Sequence, residues 1–248
     1  MASMLKGDFH LHSSEDPRDV LDYDAFELVD CAAALGYHVL ALTLHHEIFC
    51  PPALKDYATE RGVLMISGVE LALEHREILL LGVETADLRH LKTFADLRPL
   101  RKEKGDGILI LAPHPYFGFS KCAGDKVRDY ADCFDGIELC HYYTNNWNRN
   151  IPAEKLAGET GKPMVACSDL HQLKYFNRHY CLIDAEPTQA SVFAAIRAGR
   201  IRNVTQPMTW PQIIRKSLWH FVHHDTLKIL RSLGLITPHC GAKSKALA

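Results

Sequence analysis

The sequence predicts an α/β barrel with a short C-terminal helical extension. Three observations carry that expectation. Short apolar runs of strand length alternate with stretches of helical periodicity, glycines close most of those stretches, and a His, Asp or Glu follows nearly every run. A chain of 248 residues has room for one large domain of this kind or two small ones, and a single α/β barrel suits it well.

Taken in order, a first strand runs into Asp8-Phe9-His10-Leu11-His12-Ser13. Alternate strand residues face one side, so both imidazoles can converge on one ion. A polar loop over 13–19 precedes a helix over 24–35, stopped by Gly36. The run 38–44 reads as a buried strand ending at His45, and a helix over 51–61 is closed by Gly62. The run 63–69 then leads into Glu70, and 77–83 forms a further strand. Helical spacing returns over 88–104, followed by the strand 108–112 and Pro113-His114-Pro115, whose prolines predict an extended turn at the histidine. A helix over 125–133 precedes the strand 136–140, which ends at His141. A helix over 152–160, with proline in its first turn and Gly161 at its end, leads to the strand 164–167 and Ser168-Asp169-Leu170-His171. The run 180–183 is the expected last barrel strand, and a helix over 188–198 closes at Gly199. No repeat or low-complexity linker precedes Gln206, which divides the chain into a barrel over 1–205 and an extension over 206–248.

The composition, 47% hydrophobic and 23% charged, is that of an ordinary soluble domain. No basic leader with a long apolar run and no segment of about 18 apolar residues occurs, so a cytoplasmic protein without a transmembrane segment is expected. Eight cysteines without a C-x-x-C pair read as reduced thiols, most of them small core residues. The net charge of -2 hides an asymmetry. From Arg200 onward eight Lys or Arg face one acid, Asp225, a balance of +7 that leaves the first 199 residues at -9. An acidic body is a poor binder of duplex nucleic acid through bulk charge, but it suits a site that holds cations.

Candidate ligands thus stand at His10, His12, His45, Glu70, His114, His141, Asp169 and His171. Any one of them alone reads as a structural residue; placed at equivalent strand ends, which converge on one barrel face, they read as a shared polynuclear metal site. Neutral imidazoles mixed with carboxylates suit Zn, Mn or Fe(II), and Glu70 can bridge two ions. Cys140 and Cys167 alternate in face with their neighbours and read as packing residues.

Over residues 6–205 the chain resembles the polymerase-and-histidinol-phosphatase (PHP) superfamily. The resemblance rests on D-F-H-L-H-S at Asp8 to Ser13, T-L-H at Thr43 to His45, G-V-E at Gly68 to Glu70, P-H-P at Pro113 to Pro115, S-D-L-H at Ser168 to His171 and the closing A-I-R-A-G-R at Ala195 to Arg200. It implies a distorted (β/α)7 TIM-like barrel, two or three divalent metal ions and, usually, phosphoester hydrolysis. By position it carries the ligand role onto His10, His12, Glu70, His114, Asp169 and His171, with His45 as the second-strand partner. The family's aspartate in the first loop is matched by Asp16 or Asp19. Leu44 stands where the family commonly has Asp, and Glu77 where it often has His, which bears on the third metal position.

The expected activity is hydrolysis of a phosphate mono- or diester by a metal-activated hydroxide, with Glu70, Asp169 and His171 as the catalytic set and Asp169 or a neighbouring histidine moving the proton. No phosphate-cradling G-x-x-x-x-G-K-[ST] loop and no G-x-S-x-G elbow occurs. Arg178, His179 and Arg149 are candidate substrate contacts. The loops 116–121 and 142–149 carry aromatics that either stack on a base or close the barrel rim. The substrate is therefore a small-molecule phosphate ester or a short nucleotide. A nuclease or nucleotide-end phosphatase, and an inactive metal-binding regulatory module, are the alternatives. The segment 210–235 reads as a basic amphipathic helix that packs on its own domain or on a second copy of the chain, or else meets a membrane or nucleic acid, with His223 and His224 solvated and 241–248 frayed.

Overall fold

The structure, a computed structural model, describes residues 4–117, 121–219, 222 and 225–235. The expected residues Gly118 to Ser120, Phe221, the histidines at 220, 223 and 224, and the segment 241–248 lie outside them.

The elements follow in order: β1 (Leu5–Leu11), α1 (Ala25–Ala34), β2 (Val39–Leu42), α2 (Pro52–Thr59), β3 (Leu64–Leu73), β4 (Arg76–Leu81), α3 (Thr85–Leu88), α4 (Leu97–Lys104) and β5 (Leu109–Ala112). Then come α5 (Lys126–Asp129), β6 (Gly136–Leu139), α6 (Asn150–Thr160), β7 (Met164–Ala166), β8 (Tyr180–Ile183), α7 (Gln189–Arg197), β9 (Ile201–Val204), α8 (Trp210–Leu218) and α9 (Asp225–Ser232). The helices expected at 88–104 and 125–133 are shorter than their periodicity. In the first case Asp96 accepts hydrogen bonds from the backbone of Lys92 and Thr93, which starts the helix anew as α4. Among the described residues, the segment expected as a helix over 210–235 is helical in α8 and α9.

One sheet runs in the order β7-β6-β5-β4-β3-β2-β1-β8-β9. It is a nearly closed, distorted barrel. β1, β2 and β3 are mutually parallel, as are β5, β6 and β7, while β4 runs against both of its neighbours. The reversal of β4 comes from a two-residue hairpin at Glu74-His75, with φ of 49° and 65°. Positive φ at both central residues is what a turn matched to strand twist requires. The run expected as the last barrel strand, β8, pairs with β1 but antiparallel to it, and β9 adds antiparallel to β8.

Two devices close the barrel beyond β7, one onto β1 and one onto β9. At the carboxyl end Leu170 pairs in parallel with Leu11, its N–H donating to the His10 carbonyl and its carbonyl accepting from the His12 N–H. Lower down, the Asn203 side chain accepts from the Ala166 N–H at 2.9 Å and donates to the Met164 carbonyl at 2.8 Å. A side-chain amide there stands in for the missing strand.

Strand alternation sorts the core. Leu79, Leu81, Leu109 and Leu111 pack with Val165, Ile183 and Phe193 of α7, whereas Ile78, Leu80, Ile108 and Ile110 pack outward against α4 and α6. A third cluster joins Leu40, Leu42 and Leu44 to α1 and α2. Among the described residues no helix is long and apolar enough to cross a membrane. α8 buries Ile213 with Met208 and Tyr175 but leaves Trp210, Ile214 and Leu218 exposed.

Candidate metal centre

The carboxyl ends of the parallel strands deliver one cluster of donors. His10 and His12 of β1 are wholly buried, and their Nε2 atoms have no hydrogen-bond partner among the described residues. His10 Nε2 lies 3.4 Å from Glu70 Oε2 and 3.5 Å from Asp169 Oδ1, and His12 Nε2 lies 3.5 and 3.6 Å from the same two oxygens. Ligand atoms at about 2.1 Å around a tetrahedral ion are about 3.4 Å apart. The donor set therefore fits a divalent cation. Buried imidazole nitrogens without partners are otherwise costly.

Glu70 faces two neighbourhoods. Its Oε2 is also 3.2 Å from His45 Nε2, while its Oε1 is 3.4 Å from His114 Nε2. Beside His114, at 3.8 Å, stands Glu77 Oε2. Because β4 is reversed, its second residue lies on the rim that the parallel strands reach with their last ones, and Glu77 offers a carboxylate there. Lys121 Nζ pairs with it at 3.0 Å. The third neighbourhood is Asp19, whose Oδ2 is 3.0 Å from His171 Nε2 and 3.4 Å from His45 Nδ1. Leu44 points into the apolar cluster of α1 and α2, and both Asp16 and Asp19 approach His45 from the loop after β1 instead.

Partners behind the donors fix their orientation. His10 Nδ1 donates to Glu138 Oε2 at 2.7 Å, and His12 Nδ1 donates to Asp16 Oδ2 at 3.1 Å. Asp16 also accepts from the backbone N–H and Nδ1 of His45 at 2.8 and 2.9 Å. With Nδ1 protonated, Nε2 presents its lone pair toward the cluster. Asp8 Oδ1 accepts from the N–H of His10 and of Ser168, tying β1 to the segment that carries Asp169. Burial pushes the Asp8 carboxyl up to about 7 against those hydrogen bonds.

Two donors sit on strained backbone. His114 has φ of 28° and Asp169 of 44°, a region that costs a non-glycine residue about 1–3 kcal/mol. The prolines around His114 thus frame a left-handed turn, not the expected extended one, closed by the Phe117 N–H on the His114 carbonyl. Gly68, two residues before Glu70, is required for a different reason: a Cβ there would sit 2.7 Å from Leu81 Cδ2 and 2.9 Å from Thr43 Cγ2.

The field of the cluster is mixed. Burial opposes charge on His12, but Asp16, Asp169 and Glu70 outweigh it and raise the imidazole to about 10. The same contest lifts His10, His45 and His114, and the facing histidines hold Glu70 and Asp169 low although burial opposes it.

Of the residues expected at the site, His10, His12, Asp16, His45, Glu70, His114, Asp169 and His171 come together. His141 stands beside them: its Nε2 accepts from Lys216 Nζ of α8 at 2.5 Å, and burial and Lys216 hold it well below the usual range. Arg178 and His179 border that same spot, with Ser168 and Tyr175. Arg149 lies 5.8 Å over the Trp147 ring, at the rim. Phe117, Tyr142 and Trp147 pack on one another, and Trp147 approaches Trp210 at 6.4 Å between centroids. Glu138 and Asp8 were not assigned roles from sequence. A carboxylate inside the short apolar strand 136–140 was the available signal for Glu138.

Comparison with known proteins supports this architecture. A family model described as PHP-associated matches residues 147–201. An uncharacterized protein of Methanocaldococcus jannaschii is 28% identical over 172 residues, 62% of this chain and 93% of the relative. Among solved structures, a two-domain protein of Bacteroides vulgatus containing a predicted PHP-like metal-dependent phosphoesterase is 20% identical, with a TM-score of 0.64 over 86% of this chain and 68% of its own. A lesion-specific endonuclease of Pyrococcus furiosus is 16% identical, with a TM-score of 0.58 over 81% of this chain and 57% of its own. The chain thus carries a PHP-associated segment at residues 147–201 and shares its fold with these structures.

Proposed function

We propose that the protein is a metal-dependent phosphoesterase acting on a small-molecule phosphate monoester or diester. The observation that carries this reading is Glu70, whose two oxygens face different imidazoles, Oε2 toward His10, His12 and His45 and Oε1 toward His114. A carboxylate so shared is the natural bridge of a centre with more than one cation.

His10, His12, Glu70 and Asp169 would hold one ion, and His114, Glu77, His45, Asp19 and His171 would complete the others. Bound divalent ions supply a hydroxide near neutral pH and neutralise phosphoryl charge. The chain's own residues do the rest. Glu138 and Asp16 keep His10 and His12 in the tautomer that points Nε2 inward. Asp169 shares Oδ1 among three histidines yet keeps 22% of its side-chain surface exposed. Asp169 or a neighbouring histidine would carry the proton to the leaving oxygen. The aromatics of the loop 142–149 pack on one another and toward α8, which supports a closed rim and a small substrate over an open base-stacking platform.

The test is a substrate panel after metal removal and reconstitution with Mn2+ or Zn2+: an aryl phosphate monoester and diester, sugar phosphates, mononucleotides and short single strands. Metal-dependent turnover of phosphate esters is expected, greatest for small ones. No turnover of any member with either ion sinks the proposal, and turnover confined to strands reassigns the protein as a nuclease.

A further inference from the structure

Beside the donor cluster lies a second group of polar side chains that the metal ions do not need. Arg178, His179, Ser168 and Tyr175 line it from the segment after β7, and Lys216 enters it from α8. Among its described lining residues there is no carboxylate. Arg178 Nε and His179 Nδ1 are buried and have no hydrogen-bond partner among the described residues, and the His179 side chain belongs to a residue only 3% exposed. In an acidic body, two cations gathered around unsatisfied donors point to an anion.

We infer that Arg178, His179 and Lys216 form an oxyanion pocket that receives the non-bridging oxygens of a terminal phosphate, which makes the substrate a phosphate monoester. This rests on the phosphoesterase reading and narrows it. Lys216 spends one N–H on His141 Nε2, and an ammonium has three, so two remain for a ligand. Arg178 adds a planar fork, and the two fixed charges match a dianion better than the single charge of a diester.

Closure by α8 points the same way. The helix is held over the barrel by Tyr142, whose hydroxyl donates to the Ile213 carbonyl at 3.1 Å and also bonds Ser217, and by Arg215 on the Tyr175 hydroxyl. Lys216 Nζ rests 5.5 and 5.8 Å from the Tyr175 and Tyr142 ring centroids. The space enclosed beneath α8 is about 10 Å³, room for a phosphoryl oxygen and not for a second ester arm. Through Lys216 the C-terminal extension is part of the site, although that lysine lies 45 residues beyond His171 in sequence.

The test uses the full chain and inorganic phosphate as probe, titrated calorimetrically into metal-stripped wild type, Lys216→Met, Lys216→Arg, Arg178→Gln and the exposed control Lys174→Met. Circular dichroism and melting identify any variant that fails to fold. Phosphate affinity is expected to fall about tenfold or more in Lys216→Met and Arg178→Gln, to recover in Lys216→Arg and to stay unchanged in Lys174→Met. With Mn2+ restored, KM for an aryl phosphate monoester should rise by a similar factor and the preference for monoester over diester should shrink. Wild-type phosphate affinity in folded Lys216→Met or Arg178→Gln overturns the pocket, even if the protein hydrolyses phosphate esters. Phosphate binding that depends on Lys216 in a protein that turns over nothing upholds the pocket and overturns the phosphoesterase reading instead.

Discussion

Glu138 and Asp16 hold the Nδ1 atoms of His10 and His12, which turns both Nε2 atoms into the cluster as ligands of the proposed centre. Glu138→Gln leaves a hydrogen-bond acceptor but removes the charge that polarises His10, so metal affinity should drop about 10–100-fold with the fold intact. Isothermal titration with Mn2+ checks this; an unchanged affinity would remove Glu138 from the centre. His12→Ala and Asp169→Ala, which delete donors outright, should abolish turnover while the far-UV spectrum stays that of wild type. Most of these residues were legible in the sequence because each directly follows an apolar run, at Leu44-His45, Val69-Glu70 and Ala112-Pro113-His114. Glu138 was not, because it sits within its strand, where a reading of strand ends does not look. Its role depends on β6 and β1 facing one another across the barrel, a contact 128 residues apart.

At the level of elements, strand positions were legible and strand direction was not. An apolar run such as 77–83 has the same pattern whichever way it points, and the turn that reverses it is Glu74-His75 instead of the Asn-Gly that would have marked a hairpin. Replacing the pair by Glu74→Asn and His75→Gly should therefore stabilise the protein by about 0.5–1 kcal/mol, read as a raised denaturation midpoint, since those residues adopt positive φ at lower cost. Asn203 makes the opposite case. Its amide closes β7 onto β9 through two hydrogen bonds, and Asn203→Leu leaves the Ala166 N–H and Met164 carbonyl without it. A loss of about 1–3 kcal/mol is expected by urea denaturation. A neutral effect would show that the barrel closes without that bridge.

For the whole molecule, the cluster couples ion binding, protonation and stability. In the metal-free protein His12 is raised to about 10 from an ordinary value near 6.5, because Asp16, Asp169 and Glu70 outweigh burial. A raised histidine stabilises the fold fully below its unfolded pKa, and that contribution is lost as pH climbs from about 6.5 toward 10. Glu70 and Asp169 are held low, so their contribution is present above the ordinary carboxylate range and lost as pH falls. Metal-free protein should accordingly melt at lower temperature at pH 9.5 than at pH 7, whereas saturating Mn2+ should narrow the difference, since the ion takes the place of the protons. Calorimetry in buffers of different ionisation enthalpy should register proton release on binding at pH 7.

The proposed polynuclear centre gathers its donors from six strands. Metal content per chain, measured by inductively coupled plasma mass spectrometry after reconstitution with Mn2+ or Zn2+ and desalting, tests it most directly. About two or three ions per wild-type chain are expected, and at least one fewer in His12→Ala. A wild-type chain that retains no ion, or a His12→Ala chain that retains as many, would contradict it.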